Sequence, residues 1–275
     1  AGVRYEHVTS DYYEYGKKVE EQSRKYDNFF PSLALSFPLG KVQMQLAYRG
    51  SIKRPSYWDV RGNITYANRY TYETGNPLLQ PTTIQSLSLN TIYRWMSLSL
   101  SYNHYKNDYT SYVRAYSEEN PTIGLLTREH IAPYNRLSAS LTLSPVIGKW
   151  NPRWGVQVQR YDCKVDTPQG VETFDNPRAI LSWRNTVKFT DSFWINGDVY
   201  YQTKSQTDNT EYLENSWYMN LNLYKGFLNN RMSLQLQVTD LFNTRKSHVL
   251  MYSGLRTMEL DNEMHRTVSL TFRYK

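Results

Sequence analysis

The residues best suited to chemistry in this 275-residue chain lie between Lys53 and Pro81, a polar segment of about 29 residues. A connection that long is functional or disordered by default. It carries Arg54, Tyr57, Trp58, Tyr66, Tyr70 and Tyr72, interleaved with Asp59, Arg61 and Arg69. Rigid aromatic faces beside guanidinium forks are what a solute-binding surface uses. The competing reading is a loop whose aromatics pack only on one another. Gly75, Asn76, Pro77 and Pro81 close the segment, and Gly and Pro there are expected to shape the turn back into regular structure.

Other chemistries have weaker support. His7, His104, His130, His248 and His265 are scattered, without the helical His spacing or Cys partners of a metal site. Cys163 is the single cysteine, which excludes an internal disulfide and a zinc-type cysteine pair. No glycine-rich phosphate loop and no G-x-S-x-G elbow occurs. Ser, His and Asp are present, but a catalytic triad is defined in space and not by composition. The expectation is a protein without enzymatic activity, cofactor or metal.

The elements that must position the loop announce themselves by period. Val42-Gln-Met-Gln-Leu-Ala-Tyr48 alternates apolar with polar or small residues, and the same beat recurs to the end of the chain. The apolar phase marks about twelve strands, among them Leu33, Leu35, Phe37; Met96, Leu98, Leu100, Tyr102; and Met232, Leu234, Leu236, Val238. The opposite phase is mostly Ser, Thr, Asn and Gln, as in Ser97, Ser99, Ser101 and Ser233, Gln235, Gln237. Each run covers roughly nine to eleven residues, the length a tilted strand needs to cross a bilayer. Hydrophobic residues are 40% of the chain and mean hydropathy is -0.68, so no stretch reaches the roughly 18 apolar residues of a spanning helix. An all-β, antiparallel up-and-down transmembrane β-barrel fits, as a single domain over residues 1–275.

Connections alternate short and long. Pro38 to Lys41, Arg94-Trp95, the Gly148-Lys149 region, Thr190 to Ser192 and Lys225 to Asn230 are tight; the segments between them are long and polar. Outer-membrane barrels pair short periplasmic turns with long external loops. Tyr93, Trp95, Trp150, Trp154, Phe189 and Phe193 gather beside the short turns, where an aromatic girdle belongs. Net charge is +7, but the basic residues sit in turns and at strand ends and form no stripe for nucleic acid. They are expected to face lipid headgroups and lipopolysaccharide. An exported barrel needs a signal peptide, either cleaved or upstream of a truncated start, and first residues that already alternate as though within a strand favour truncation.

Arg54-Pro-Ser-Tyr-Trp58 followed by Gly75-Asn-Pro-Leu-Leu-Gln-Pro81 closely resembles the R-P-x-Y-W and G-N-P-x-L-x-P elements of outer-membrane barrels of the TonB-dependent receptor superfamily, especially the Bacteroidetes type. Thr239-Asp-Leu-Phe-Asn243 resembles that family's D-[LI]-F-N element, and Val268 to Tyr274 its aromatic C-terminal strand. The resemblance implies a 22-stranded barrel with an N-terminal plug and an energy-coupling box, of which this chain would be the C-terminal part without plug or box. It also implies a small or oligomeric solute, a TonB-type coupling protein reached through the N-terminal region, a surface lipoprotein as a further partner, and the outer membrane of a Gram-negative bacterium as location. Two positions depart from the pattern: Thr82 stands where an acidic residue often follows the proline, and Lys275 extends past the aromatic terminus. The residues by themselves also allow a self-contained pore or barrel enzyme of about twelve strands, or a soluble β-sandwich adhesin or carbohydrate-binding module.

Overall fold

In a computed structural model, residues 1–254 and 256–274 are described, and Lys275 lies outside them. Twelve strands form one continuous antiparallel wall. They are β1 (Gly2–Ser10), β2 (Arg24–Leu39), β3 (Val42–Lys53), β4 (Thr82–Tyr93), β5 (Met96–Lys106), β6 (Tyr134–Leu143), β7 (Trp150–Thr167), β8 (Arg178–Thr190), β9 (Phe193–Gln202), β10 (Ser216–Phe227), β11 (Met232–Thr239) and β12 (Thr267–Tyr274). Each pairs with the next in chain order, while β1 and β12 do not pair with each other among the described residues, so the wall they form is an open sheet with two edges.

From β2 to β7 the register carries the alternation without a slip between faces; a bulge between Lys188 and Thr190 shifts it at the end of β8. Leu35, Leu46, Leu89, Leu100, Ala139 and Val158 are successive partners from β2 to β7. One residue along, Ser36, Gln45, Asn90, Ser99, Ser140 and Gln157 form the parallel polar row. Because the side-chain period is two, this register puts every apolar row on one face. That face is bare: Leu35, Leu87, Leu137, Trp183 and Leu270 are all exposed. No second sheet covers it among the described residues, so the β-sandwich alternative, whose apolar face must be enclosed, does not hold. Exposed apolar residues in a continuous band are at equilibrium only against hydrocarbon.

The tight turns fall where sequence places them. Gly40 and Gly148 adopt φ of +61° and +59°, and Arg94 turns at +50° between β4 and β5. At this end Phe189 stacks on Phe193 with centroids 5.0 Å apart, and Trp150 meets Trp154 edge-on at 5.9 Å. The indole N–H groups of Trp150 and Trp183 both donate to Asn185 Oδ1 at 3.1 Å, satisfying a polar side chain in the outward register.

The opposite end differs from the polar loops expected there. β2 and β7 run 16 and 18 residues, beyond what a bilayer needs, and the long connections fold into small sheets. Residues 65–68 and 71–73 join 109–115 and 124–130 in one sheet; residues 205–206, 210–212, 246–253 and 256–263 make another. Val113 bridges to Gly254 between them. Beneath lies the chain's buried hydrophobic cluster, Tyr105, Tyr134, Cys163, Val165 and Phe174, with Tyr252 packed on it. The Tyr105 and Tyr134 rings stack 4.7 Å apart at 3°. The core therefore sits where the crown packs on the outer ends of wall strands β5, β6 and β7.

Candidate solute-binding cleft

Arg54, the first residue after β3, ion-pairs with Glu6 of β1, whose other carboxylate oxygen lies 3.2 Å from Arg4. Pro55 and Ser56 then start a one-turn helix, α1 (Tyr57–Val60). Ser56 caps it: Ser56 Oγ accepts from the Asp59 N–H at 3.3 Å, and Asp59 Oδ2 accepts from the Ser56 N–H at 3.0 Å. This reciprocal capping box fixes a turn too short to hold itself. It leaves Tyr57 and Trp58 pointing outward, 75% and 66% exposed, although large aromatics normally gain from burial. The Arg61 guanidinium lies 4.8 Å from the Trp58 ring centroid.

Asp59 anchors the turn to the crown. Arg128 Nε donates to its Oδ1 at 3.0 Å, and the Tyr109 hydroxyl donates to Oδ2 at 3.2 Å. Burial alone would raise the Asp59 carboxyl, but hydrogen bonds from Ser56, Arg128 and Tyr109 outweigh it and hold it below the ordinary value. The Tyr109 hydroxyl is correspondingly pushed up to about 12, by burial first and by the Asp59 charge second.

The Gly75 to Pro81 segment returns across the same corner. A Cβ on Gly75 would lie 2.6 Å from the Asp59 carbonyl oxygen and 2.7 Å from the Arg61 backbone, so only glycine allows this approach. The Asn76 N–H donates to the Asp59 carbonyl at 2.7 Å, and Asn76 Nδ2 to the Arg128 carbonyl at 2.9 Å. Asn76 Oδ1 accepts the Leu78 N–H at 2.9 Å, a local turn of the kind Asn favours. Leu79 is buried. Thr82, the departure from the family pattern, is wholly buried, and its hydroxyl donates to Asp108 at 3.2 Å.

A cleft of about 860 Å³ opens between this corner and the connection from β1 to β2. Arg54, Tyr57 and Trp58 line it, together with Pro77 and Pro81. Tyr66, Tyr70 and Tyr72 do not. They belong to the neighbouring crown sheet, where Tyr72 stacks on Tyr116 at 4.7 Å and meets Tyr66 edge-on at 5.7 Å, while Arg69 lies 4.5 Å over Tyr70. The six aromatic and basic residues singled out by sequence thus divide into a cleft wall and a separate aromatic stack.

The opposite cleft wall is made by residues that sequence reasoning did not select: Tyr12, Tyr13, Gln22, Arg24 and Tyr26. Nothing local marks them, because their part depends on the fold of the first connection over the second. Asp59 did carry a readable signal, the Ser-x-x-Asp spacing of a capping box. The Asp240-Leu-Phe-Asn243 element forms a second corner: Asp240 is buried, turns at φ of +53° and accepts the Arg245 N–H at 2.9 Å. His248, Glu259 and Asp261 meet across two crown strands, with His248 Nε2 2.6 Å from Glu259. They are one exposed cluster of cation-ligand type, unforeseen in sequence because its members pair across a hairpin.

The model of the outer membrane protein beta-barrel family matches residues 1–274. The chain belongs to this family. Solved structures show the same barrel wall. A mutant of the ferric enterobactin receptor PfeA from Pseudomonas aeruginosa, in complex with enterobactin, shares 18% identity at a TM-score of 0.55, over 90% of this chain and 40% of that receptor. The siderophore receptor PirA from Acinetobacter baumannii shares 13% at 0.57, over 90% and 41%. A chain of the FpvAI–pyocin S2 complex shares 16% at 0.57, over 92% and 33%. No curated protein matches. At these identities the likeness is one of fold, and this family member spans about 40% of the first receptors' length. It is an outer-membrane β-barrel protein of a Gram-negative bacterium, with the fold of TonB-dependent receptor barrels.

Proposed function

We propose that this chain supplies wall and outer loops to an energy-coupled importer of a scarce, bulky solute. The observation that carries the reading is the 860 Å³ cleft, faced by exposed Tyr57 and Trp58, at the crown end of an open twelve-strand wall. Solute settles on these aromatics and on Arg54, and is released toward the Ser/Thr/Gln-lined inner face. No bond is made or broken. The unpaired edges of β1 and β12 leave room for further strands, in keeping with a 22-stranded barrel of which residues 1–275 are one part. Force then comes from a TonB-type protein acting through an N-terminal plug region, and a surface lipoprotein is a further partner at the crown. Gly75, Asn76, Pro77 and Pro81 shape the cleft corner and do not touch solute; Tyr66, Tyr70 and Tyr72 extend the aromatic surface beside it.

The test is uptake by cells carrying or lacking the full-length gene, across ferric siderophores, cobalamin, oligosaccharides and peptides, with and without a protonophore. The reading predicts one solute class whose uptake needs the gene, stops with the protonophore, and falls at least tenfold in a Tyr57→Ala, Trp58→Ala variant. Uptake that is gene-dependent but indifferent to the protonophore would instead establish a passive pore.

A further inference from the structure

The cleft and the wall beneath it share a charge that the neutral polar lining of the strands does not foretell. The acidic side chain that lines the cleft, Asp11, is neutralised by Lys18 at 3.0 Å. Of the cleft's cations, Arg54 is paired with Glu6, whereas Arg24 and Arg61 are less well matched. Arg24 donates to the backbone carbonyls of Glu21 and Ser23 and has no carboxylate partner among the described residues. Arg61 donates to the Thr65 hydroxyl at 3.1 Å and reaches the Glu73 carboxylate only at 3.9 Å. The Nε–H groups of both Arg24 and Arg61, and Oε1 of Gln22 beside them, are buried without a hydrogen-bond partner. Buried donors of this kind are rare in folded proteins and call for an explanation.

The inner face repeats the pattern. Arg49, Arg136, Arg153, Arg178, Arg184 and Arg273 all fall in the inward register between β3 and β12, where the single carboxylate is Asp198. Asp198 is taken by Arg184 at 3.0 Å. Arg153 and Arg184 stand directly opposite each other, a like-charge pairing that sheets ordinarily avoid. The Nε–H groups of Arg136 and Arg178 are again buried and unpartnered. Arg24, the first residue of β2 and also in the inward register, belongs to both sets, while the inward carboxylate of β1, Glu6, is taken by Arg4 and Arg54.

We propose that the solute is anionic: a carboxylate or phosphate group engages Arg24 and Arg61, and a ring face lies against Trp58 and Tyr57. This rests on the importer reading and narrows its substrate class. Guanidinium groups bind either anion by paired, charge-assisted hydrogen bonds, and the stack of Arg61 on Trp58 places charge and ring face side by side. The inward arginines then offer the departing anion successive partners, as basic rings do in anion-selective pores.

The experiment titrates full-length protein in detergent micelles with 1-naphthyl phosphate, 1-naphthoate and 1-naphthol by calorimetry. The phosphate and carboxylate arms separate the two anion chemistries, and naphthol reports the ring alone. At least one naphthyl anion should bind ten times more tightly than naphthol. An Arg24→Gln, Arg61→Gln variant should erase that difference, Arg61→Lys should retain part of it, and Lys246→Gln, far from the cleft in sequence and absent from its lining, should leave it intact. Equal binding of naphthol, no binding of either anion, or binding unmoved by the double variant overturns the proposal. Trp58-dependent binding of neutral maltohexaose, with no preference for anions, overturns the charge assignment while leaving an importer; failure of the uptake test removes the importer itself.

Discussion

Wall and crown obey opposite rules. In the wall, each strand can be read alone: Leu46 faces out because Gln45 faces in, and the register merely lines up rows that every strand already contains. Nothing in it need be buried by protein, since lipid takes the apolar face. In the crown, by contrast, a side chain's environment is decided by segments far away in sequence. Phe174 is wholly buried because Tyr252 meets it edge-on at 5.4 Å, and Tyr72 finds Tyr116 because residues 71–73 pair in parallel with 124–126. The membrane relaxes the demand for a core at one end, and the functional end must build one for itself.

The largest effect that would break this contrast is expected at the crown core. Phe174→Ala should remove about 3–5 kcal/mol of packing, seen as protease cleavage of the outer loops while the wall still inserts. Loss of insertion instead would mean that the two regions fold as one. Next comes the cleft corner. Gly75→Ala forces a Cβ onto the Asp59 and Arg61 backbone and should cost about 1–3 kcal/mol as overpacking, with weakened solute binding and an unchanged wall.

A pH series sharpens the same corner. Asp59 is held below its ordinary value, so its contribution is complete above 3.8 and is lost as pH falls below that value. Acidification should therefore loosen α1 first, read as faster exchange of the Asn76 N–H, and Asp59→Asn should abolish the pH dependence. The smallest change is the cap itself. Ser56→Ala should cost about 0.5–2 kcal/mol, visible as local exchange around residues 56–60 without any change in the global unfolding transition.

The contrast also explains what sequence could reveal. All twelve wall strands, their faces, the five tight turns and the girdle follow from a two-residue period and turn residues, which are local signals. The family motifs were equally legible, because Gly75 and Asn76 are constrained by backbone geometry that few residue types tolerate. The cleft was half visible. Arg54, Tyr57 and Trp58 stand in one dense segment, but Tyr12, Arg24 and Tyr26 come from another connection and bear no mark of it. Tyr66, Tyr70 and Tyr72 have the same composition as cleft residues yet face a different sheet, because composition does not fix which way a loop folds. The extra length of β2 and β7 was likewise hidden, since residues above the bilayer no longer need an apolar side.

The most direct test of the central claim, that this chain is a membrane wall bearing a self-supporting crown, is a pair of adjacent substitutions on β11. Leu236 continues the outward row from Leu223 to Leu270, and Gln237 the inward row from Asn222 to Ser269. Leu236→Arg places a charge in lipid at a cost of about 2–4 kcal/mol near the midplane, whereas Gln237→Arg meets the polar interior. Fractionation of outer membranes should show Leu236→Arg failing to insert and Gln237→Arg inserting as the parent does. Equal insertion of both variants would contradict the account.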